Sequence, residues 1–163
     1  MSDNNHTGRK VLVQKFGGTS LADLAGFEAS ASVIGRYTDE YQVVVVLSAV
    51  KGVTDLLLAA IDTAVEGESG VEHLEEAIAR ERTIVENLAA QGVETPLGTA
   101  FLEEQYSTLS RRVEGIRLLG QCPDETRARI LASGEGFSSR LMVDMLNHQG
   151  YRAQWSDTDV LPL

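Results

Sequence analysis

Two β-branched runs, residues 11–16 (VLVQKF) and 41–47 (YQVVVVL), each pass directly into a turn of small residues and then a helical pattern. Strand–helix–strand–helix order has few solutions. With a crossover helix between them the strands lie parallel in one sheet, which places the chain in the α/β class. The first strand ends at Gly17-Gly18, a tight turn. Ser20 reads as a helix N-cap, with Asp23 three residues on as its partner. That helix extends to about Tyr37, with Leu21, Leu24, Phe27 and Ile34 inward. The second strand is so continuously apolar from Val43 to Leu47 that it suits cover on both faces. Residues 48–52 form the next loop, and Thr54 or Asp55 opens a helix carrying Leu56, Leu57, Leu58 and Ile61.

The middle of the chain changes period. After a polar break at residues 66–70, Val71, Leu74, Ile78, Val85 and Leu88 recur at helical spacing. A loop at 92–98 contains Pro96, and Leu102, Leu109, Val113 and Ile116 continue the spacing to about Leu119. This is an αα-hairpin inserted into the α/β pattern. It reads as a helical cap or oligomer surface without chemistry, its charges forming a solvated face. Pro123 opens another helix, interrupted by Ser133-Gly134-Glu135-Gly136, resumed through Leu141, Met142, Met145 and Leu146, and ended at Gly150. Residues 151–155 (YRAQW) alternate and predict a third strand. A parallel sheet with so few strands is expected to be part of a longer chain. Residues 1–10 are polar, lack the apolar stretch of a signal peptide, and read as a disordered lead.

The 163 residues carry 24 acids against 14 bases, a net charge of -10. Such a surface repels nucleic acid and anionic lipid, so neither is an expected partner. No apolar run approaches the ~20 residues of a membrane span. An anion would have to be held locally, by backbone N–H groups and a few placed cations. Cys122 is the single cysteine, so no internal disulfide is possible and a reducing, cytoplasmic setting is the natural expectation.

Three segments break local rules in ways that suit chemistry. In Lys15-Phe16-Gly17-Gly18-Thr19-Ser20 a strand runs into two glycines and a helix start. Glycines let backbone N–H groups approach a phosphate, and Lys15 adds a point charge. The lysine precedes the glycines, so this is not a Walker A loop; the alternative is a plain βα turn with a solvated lysine. The second segment, residues 48–54 (SAVKGVT), lies at the carboxyl end of the second strand, where open α/β sheets bind ligands. Ser48 and Thr54 offer hydroxyls to a substrate carboxylate, or simply cap local backbone. The third is Glu135 between Gly134 and Gly136. Two glycines inside a helical stretch cost up to ~1 kcal/mol each, and Glu135 is either an ammonium ligand or a loop carboxylate. His6, His73 and His148 have no second ligand at metal spacing. Cys122, with Arg127 as its one nearby cation, reads as inert, and Trp155 as a core residue.

Taken together, VQKFGGTSLAD (residues 13–23), VVVLSAVKGVTDLL (44–57) and SGEGFSSRLM (133–142) resemble the aspartate kinase family, which has the amino-acid kinase (carbamate kinase-like) fold. The stretch SSRLMVDMLNHQGYRAQW is similar to the kinase portions of bifunctional aspartokinase–homoserine dehydrogenases. The resemblance implies phosphorylation of the L-aspartate side-chain carboxylate by Mg-ATP, the entry to lysine, threonine and methionine synthesis. By match of motif, Lys15 contacts the transferring phosphate and Gly17, Gly18, Thr19 and Ser20 cradle it. Ser48, Ala49 and Thr54 line the aspartate site, and Glu135 holds the α-ammonium. No protein ligand to the Mg²⁺ is implied, and a homo-oligomer is. Residues 11–163 then form the N-terminal, aspartate-binding part of the catalytic domain. The nucleotide half, the arginine for the α-carboxylate and the regulatory domains lie downstream, so the chain alone is expected to be inactive. Two departures concern the aspartate pocket: Ser133 stands where many relatives have histidine, and Lys51 where small residues are frequent. The alternatives are another amino-acid kinase, or a dimerisation module built on residues 71–119.

Overall fold

The computed structural model describes residues 8–157. Within it, β1 (Lys10–Phe16) and β2 (Tyr41–Leu47) pair in parallel, in register from Lys10↔Tyr41 to Phe16↔Leu47. Most of the expected disordered lead lies outside the described residues, but Lys10 already belongs to β1. Between the strands runs α1 (Leu24–Gly35). Then follow α2 (Val53–Val65), α3 (Val71–Ala90), α4 (Pro96–Leu119), α5 (Asp124–Leu131) and α6 (Ser133–His148). The α/β class and the long inserted hairpin, here α3 and α4, stand as expected.

Several boundaries differ for local reasons. Ser20 is not the cap of α1. Residues Gly18–Leu21 form a 3₁₀ turn, and Asp23 is the N-cap, accepting from the Gly26 N–H at 2.9 Å. Helix α1 stops at Gly35. Gly52, in the left-handed region at φ 81°, precedes α2, so Val53 opens that helix. Helix α4 starts at Pro96, a residue whose fixed φ and missing N–H suit a first helical position, so Gly98 is helical. Ser133 to Gly136 do not interrupt a helix: they are the first turn of α6, separated from α5 by Ala132 alone.

The core gathers against one face of the sheet, where Phe27, Ile34, Leu57, Ile61, Leu74, Ile130, Phe137 and Leu141 are fully or nearly fully buried beside Val43 and Val45. The expected cover on both faces is not met. Val11 (61%), Val13 (63%), Val44 (44%) and Val46 (48%) are exposed on the other face, because the described helices pack against the first. Residues 151–157 form no strand. Asn147 supplies what a neighbouring strand would: its side-chain carbonyl accepts from Ala153 N–H at 2.9 Å and its amide donates to Ala153 C=O at 3.2 Å. Trp155 is not in the core either. Its ring lies over the Arg140 guanidinium at 3.8 Å, Phe101 lies on it at 4.1 Å, and its indole N–H donates to Ser139 Oγ.

One long-range cap locks the hairpin to α6. The buried Asp144 carboxylate accepts from the Gly98 N–H at 2.8 Å, satisfying an orphan donor in the first turn of α4. Burial pushes the Asp144 carboxyl above its ordinary range, and the Gly98 and Leu97 N–H groups pull it back. Asp144→Ala removes the cap and is expected to cost about 2 kcal/mol, a melting point lower by roughly 4–8 °C at this chain length. A loss under about 1 °C in calorimetry would show that water replaces the carboxylate.

Candidate functional site

The three segments singled out in the sequence meet, and Ala49 is where they do. The strand ends are tied first: Ser48 N–H donates to Phe16 C=O at 3.0 Å, extending the parallel ladder into the two loops. Gly18 then lies against the second loop so closely that a Cβ on it would stand 3.2 Å from the Ala49 carbonyl oxygen. From the other side a Cβ on Gly134 would stand 2.5 Å from Ala49 Cβ and 3.2 Å from Val53 Cγ1. The glycine at 134 is therefore required by close approach, a side chain at 18 would fit only tightly, and Ala49 is 2% exposed between them.

Around this junction, Lys15 is the penultimate residue of β1, exposed on the open face of the sheet opposite Val46. Gly17 is extended and its carbonyl accepts from Ser20 N–H at 2.9 Å; no atom crowds its missing Cβ. Thr19 and Ser20 are exposed in the 3₁₀ turn. The N-terminus of α1 does not add its dipole to that turn, because the Asp23 carboxylate already occupies it. Ser48 and Thr54 are half-buried, before α2 and in its first turn. Glu135 is half-buried in the first turn of α6, and its Oε2 is buried with no hydrogen-bond partner.

A further acid stands here that the sequence reading assigned to a solvated face. Glu81, in the middle of α3, is 4% exposed, and its Oε1 has no hydrogen-bond partner. Burial, reinforced by the charge of Glu135, holds its carboxyl well above the ordinary value of 4.5. The signal was present in the spacing: Leu74, Ala77, Ile78, Glu81, Ile84 and Leu88 are one buried stripe, and an acid interrupts it. Because the native value is raised, the stability this group contributes is complete below the ordinary value and is lost as pH rises through the native one. Glu81→Gln removes that loss. Denaturation from about pH 5 to about pH 9 should therefore show the variant gaining on the wild type as pH rises, whereas a constant gap would mean that Glu81 ionises as readily folded as unfolded.

A cleft of about 520 Å³ opens beside the second loop, lined by Asp23, Lys51, Asp55 and Arg80 among others. Its acids and bases balance, and Arg80 donates to the Lys51 carbonyl at 3.4 Å while pairing with Glu76. Lys15, Ser48, Thr54 and Glu135 do not line it. Cys122 lies apart, half-buried, its thiol pushed up by burial against the opposing pull of Arg127. Arg127 is itself paired with Asp62, so the thiol is unreactive.

The profile of the amino acid kinase family matches residues 10–161. A bifunctional aspartokinase/homoserine dehydrogenase of Buchnera aphidicola subsp. Acyrthosiphon pisum is 33% identical over 144 residues, covering 84% of this chain and 17% of that protein. Chloroplastic aspartokinase 2 of Arabidopsis thaliana is 31% identical over 157 residues, 95% of this chain and 28% of that one. Among solved structures, E. coli aspartokinase III in complex with lysine and aspartate superposes with a TM-score of 0.74 at 28% identity, over 90% of this chain and 31% of that one. The same enzyme with aspartate and ADP gives 0.73 at 26% identity, over 91% and 31%. The chain thus spans less than a third of the length of these relatives.

Proposed function

The chain belongs to the amino acid kinase family, and from that premise we propose that it is the aspartate-binding part of an aspartate kinase. Such an enzyme transfers the γ-phosphoryl group of ATP to the side-chain carboxylate of L-aspartate. The product is 4-phospho-L-aspartate, and the step opens lysine, threonine and methionine synthesis. The observation that carries the reading is the packing of Gly18, Ala49 and Gly134, which gathers three separate motifs at one rim of the sheet. A relative with the same fold is solved with aspartate and ADP.

The chemistry asks little of an acid–base residue. The attacking oxygen is already a carboxylate; it bonds to the γ-phosphorus as the bond to the ADP oxygen breaks. Catalysis is then alignment and neutralisation of the charge on the moving phosphoryl group. Lys15, at the end of β1, supplies the fixed positive charge, and Gly17, Gly18, Thr19 and Ser20 follow the phosphate. Ser48, Ala49 and Thr54 orient the aspartate. Glu135 takes its α-ammonium, a role that suits a half-buried carboxylate in the first turn of α6, next to the glycine that packs on the second loop. Among the described residues no group of three or more His, Cys, Asp or Glu is placed to hold a metal. The residues for adenine, ribose and the substrate α-carboxylate belong to the remainder of the kinase domain, so the 163 residues alone turn over no ATP. A cytoplasmic homo-oligomer is part of the same reading.

Amide NMR of the labelled chain, titrated with L-aspartate, tests the assignment. Shifts at residues 17–20, 48–54 and 134–136, with no competition from glutamate, acetylglutamate or UMP, are expected. Equal response to those ligands would point to another member of the family. In the full-length enzyme Glu135→Ala should raise KM for aspartate about tenfold or more with kcat nearly kept, since an ammonium contact is made equally in ground and transition states. A pure kcat effect would contradict the role.

A further inference from the structure

Glu81 has no place in the mechanism above, yet burial of a carboxyl without a partner costs several kcal/mol unless something compensates it. Among the described residues four buried side-chain atoms have no hydrogen-bond partner, Gln14 Oε1, Ser138 Oγ, Glu81 Oε1 and Glu135 Oε2; the last two belong to carboxyls, and Glu135 lies close enough for its charge to act on Glu81. No described residue brings a cation to either: the ion pairs of the neighbouring helices are Arg80 with Glu76, Arg127 with Asp62 and Arg117 with Glu114. On the elements packed against α3, Asp55 of α2 faces the cleft and Asp62 faces Arg127, while Tyr106 of α4 reaches Glu75 and Glu28 of α1 is exposed. Glu135 is thus the charge that acts on Glu81. Burial is the main reason the Glu81 carboxyl keeps its proton, and the charge of Glu135 adds to it.

Resting on the reading of Glu135 as the ammonium ligand, we infer that Glu81 is a positioning residue for it: a neutral carboxyl whose O–H donates to the buried oxygen of Glu135. The other oxygen of Glu135 is then left for the substrate amine. The arrangement does two things. It fixes the rotamer of Glu135 from behind, and it keeps a single negative charge in the pocket, matched to one ammonium. The long hairpin is then more than a helical cap or oligomer surface, because α3 supplies the support for a binding residue on α6.

The test separates this support from the aspartate site itself. Side-chain carboxyl ¹³C shifts of the wild-type chain, followed across pH, should show Glu81 titrating well above ordinary glutamates and moving down towards them in Glu135→Gln. An ordinary midpoint, or one indifferent to Glu135→Gln, overturns the proposal whether or not aspartate binds. Aspartate Kd is then compared in the wild type, Glu81→Gln and Glu81→Leu. The amide of glutamine still donates, so its Kd should stay within about threefold, while leucine should weaken binding about tenfold or more. Equal loss in both variants overturns the proposal. A wild-type chain with the coupled titration but no aspartate binding supports the Glu81–Glu135 hydrogen bond and strikes the functional reading instead.

Discussion

Lys15→Ala is expected to lower turnover of the full-length kinase by roughly 10²–10³, the scale of one lost electrostatic stabiliser of a developing charge. The substitution is unusually clean. Lys15 is exposed at the end of β1 and forms no ion pair among the described residues, so its removal should change stability by no more than about 0.5 kcal/mol. Catalysis and folding are thereby separated. KM for aspartate should hold, since the lysine meets the phosphoryl group and not the amino acid. Lys15→Arg should recover only part of the rate, because a planar fork does not replace a point charge in place. Turnover within about threefold of wild type in Lys15→Ala would take the residue out of the mechanism.

Gly134→Val should be the most damaging single change to the fold. A Cβ alone would stand 2.5 Å from Ala49 Cβ, well inside van der Waals contact, and valine adds two further carbons next to Val53. Neither neighbour can yield, because Ala49 and Val53 are 2% and 1% exposed. Overpacking of this kind costs about 3 kcal/mol, or roughly 6–12 °C in melting temperature at this length. The clash also names its own remedy. Ala49→Gly deletes the atom that Gly134→Ala would strike, so the double variant Ala49→Gly/Gly134→Ala should be more stable than the sum of the two single changes predicts. Additivity within about 0.5 kcal/mol would show that α6 and the second loop do not press on one another.

Gly134 also shows how much of the site could be read without coordinates. The glycine at 134 stands out in the sequence as placed against helix preference and the one at 18 as part of a tight turn, while Ala49 is marked only by the family resemblance. Why they are small was not legible, since the contact joins residues far apart in the chain. Ser20 and Asp23 make the same point at short range: both are good caps in composition, and the 3₁₀ turn at Gly18–Leu21 gives the cap to the second. The third strand failed for a different reason. Residues 151–155 alternate as a strand does, but the hydrogen bonds of Ala153 go to the Asn147 side chain, and Trp155 is drawn to Arg140. A period of two records which side chains alternate and says nothing about which partner takes the backbone.

What the amino-acid order determined alone was whatever depends on near neighbours: two β-branched strands, helices with apolar residues three and four apart, the turn at Gly17-Gly18 and the helix end at Gly150, and the three motifs that carry the family likeness. What only the tertiary structure decided was which of these surfaces lose their water. Glu81 reads as one more acid in a charged hairpin until α3 buries it against Glu135; Val44 and Val46 read as core until the helices choose the opposite face. Burial is a property of everything packed around a residue, and the energy of a charge or a methyl group is set by that surrounding medium, so neither can be computed from the residue and its neighbours in the chain.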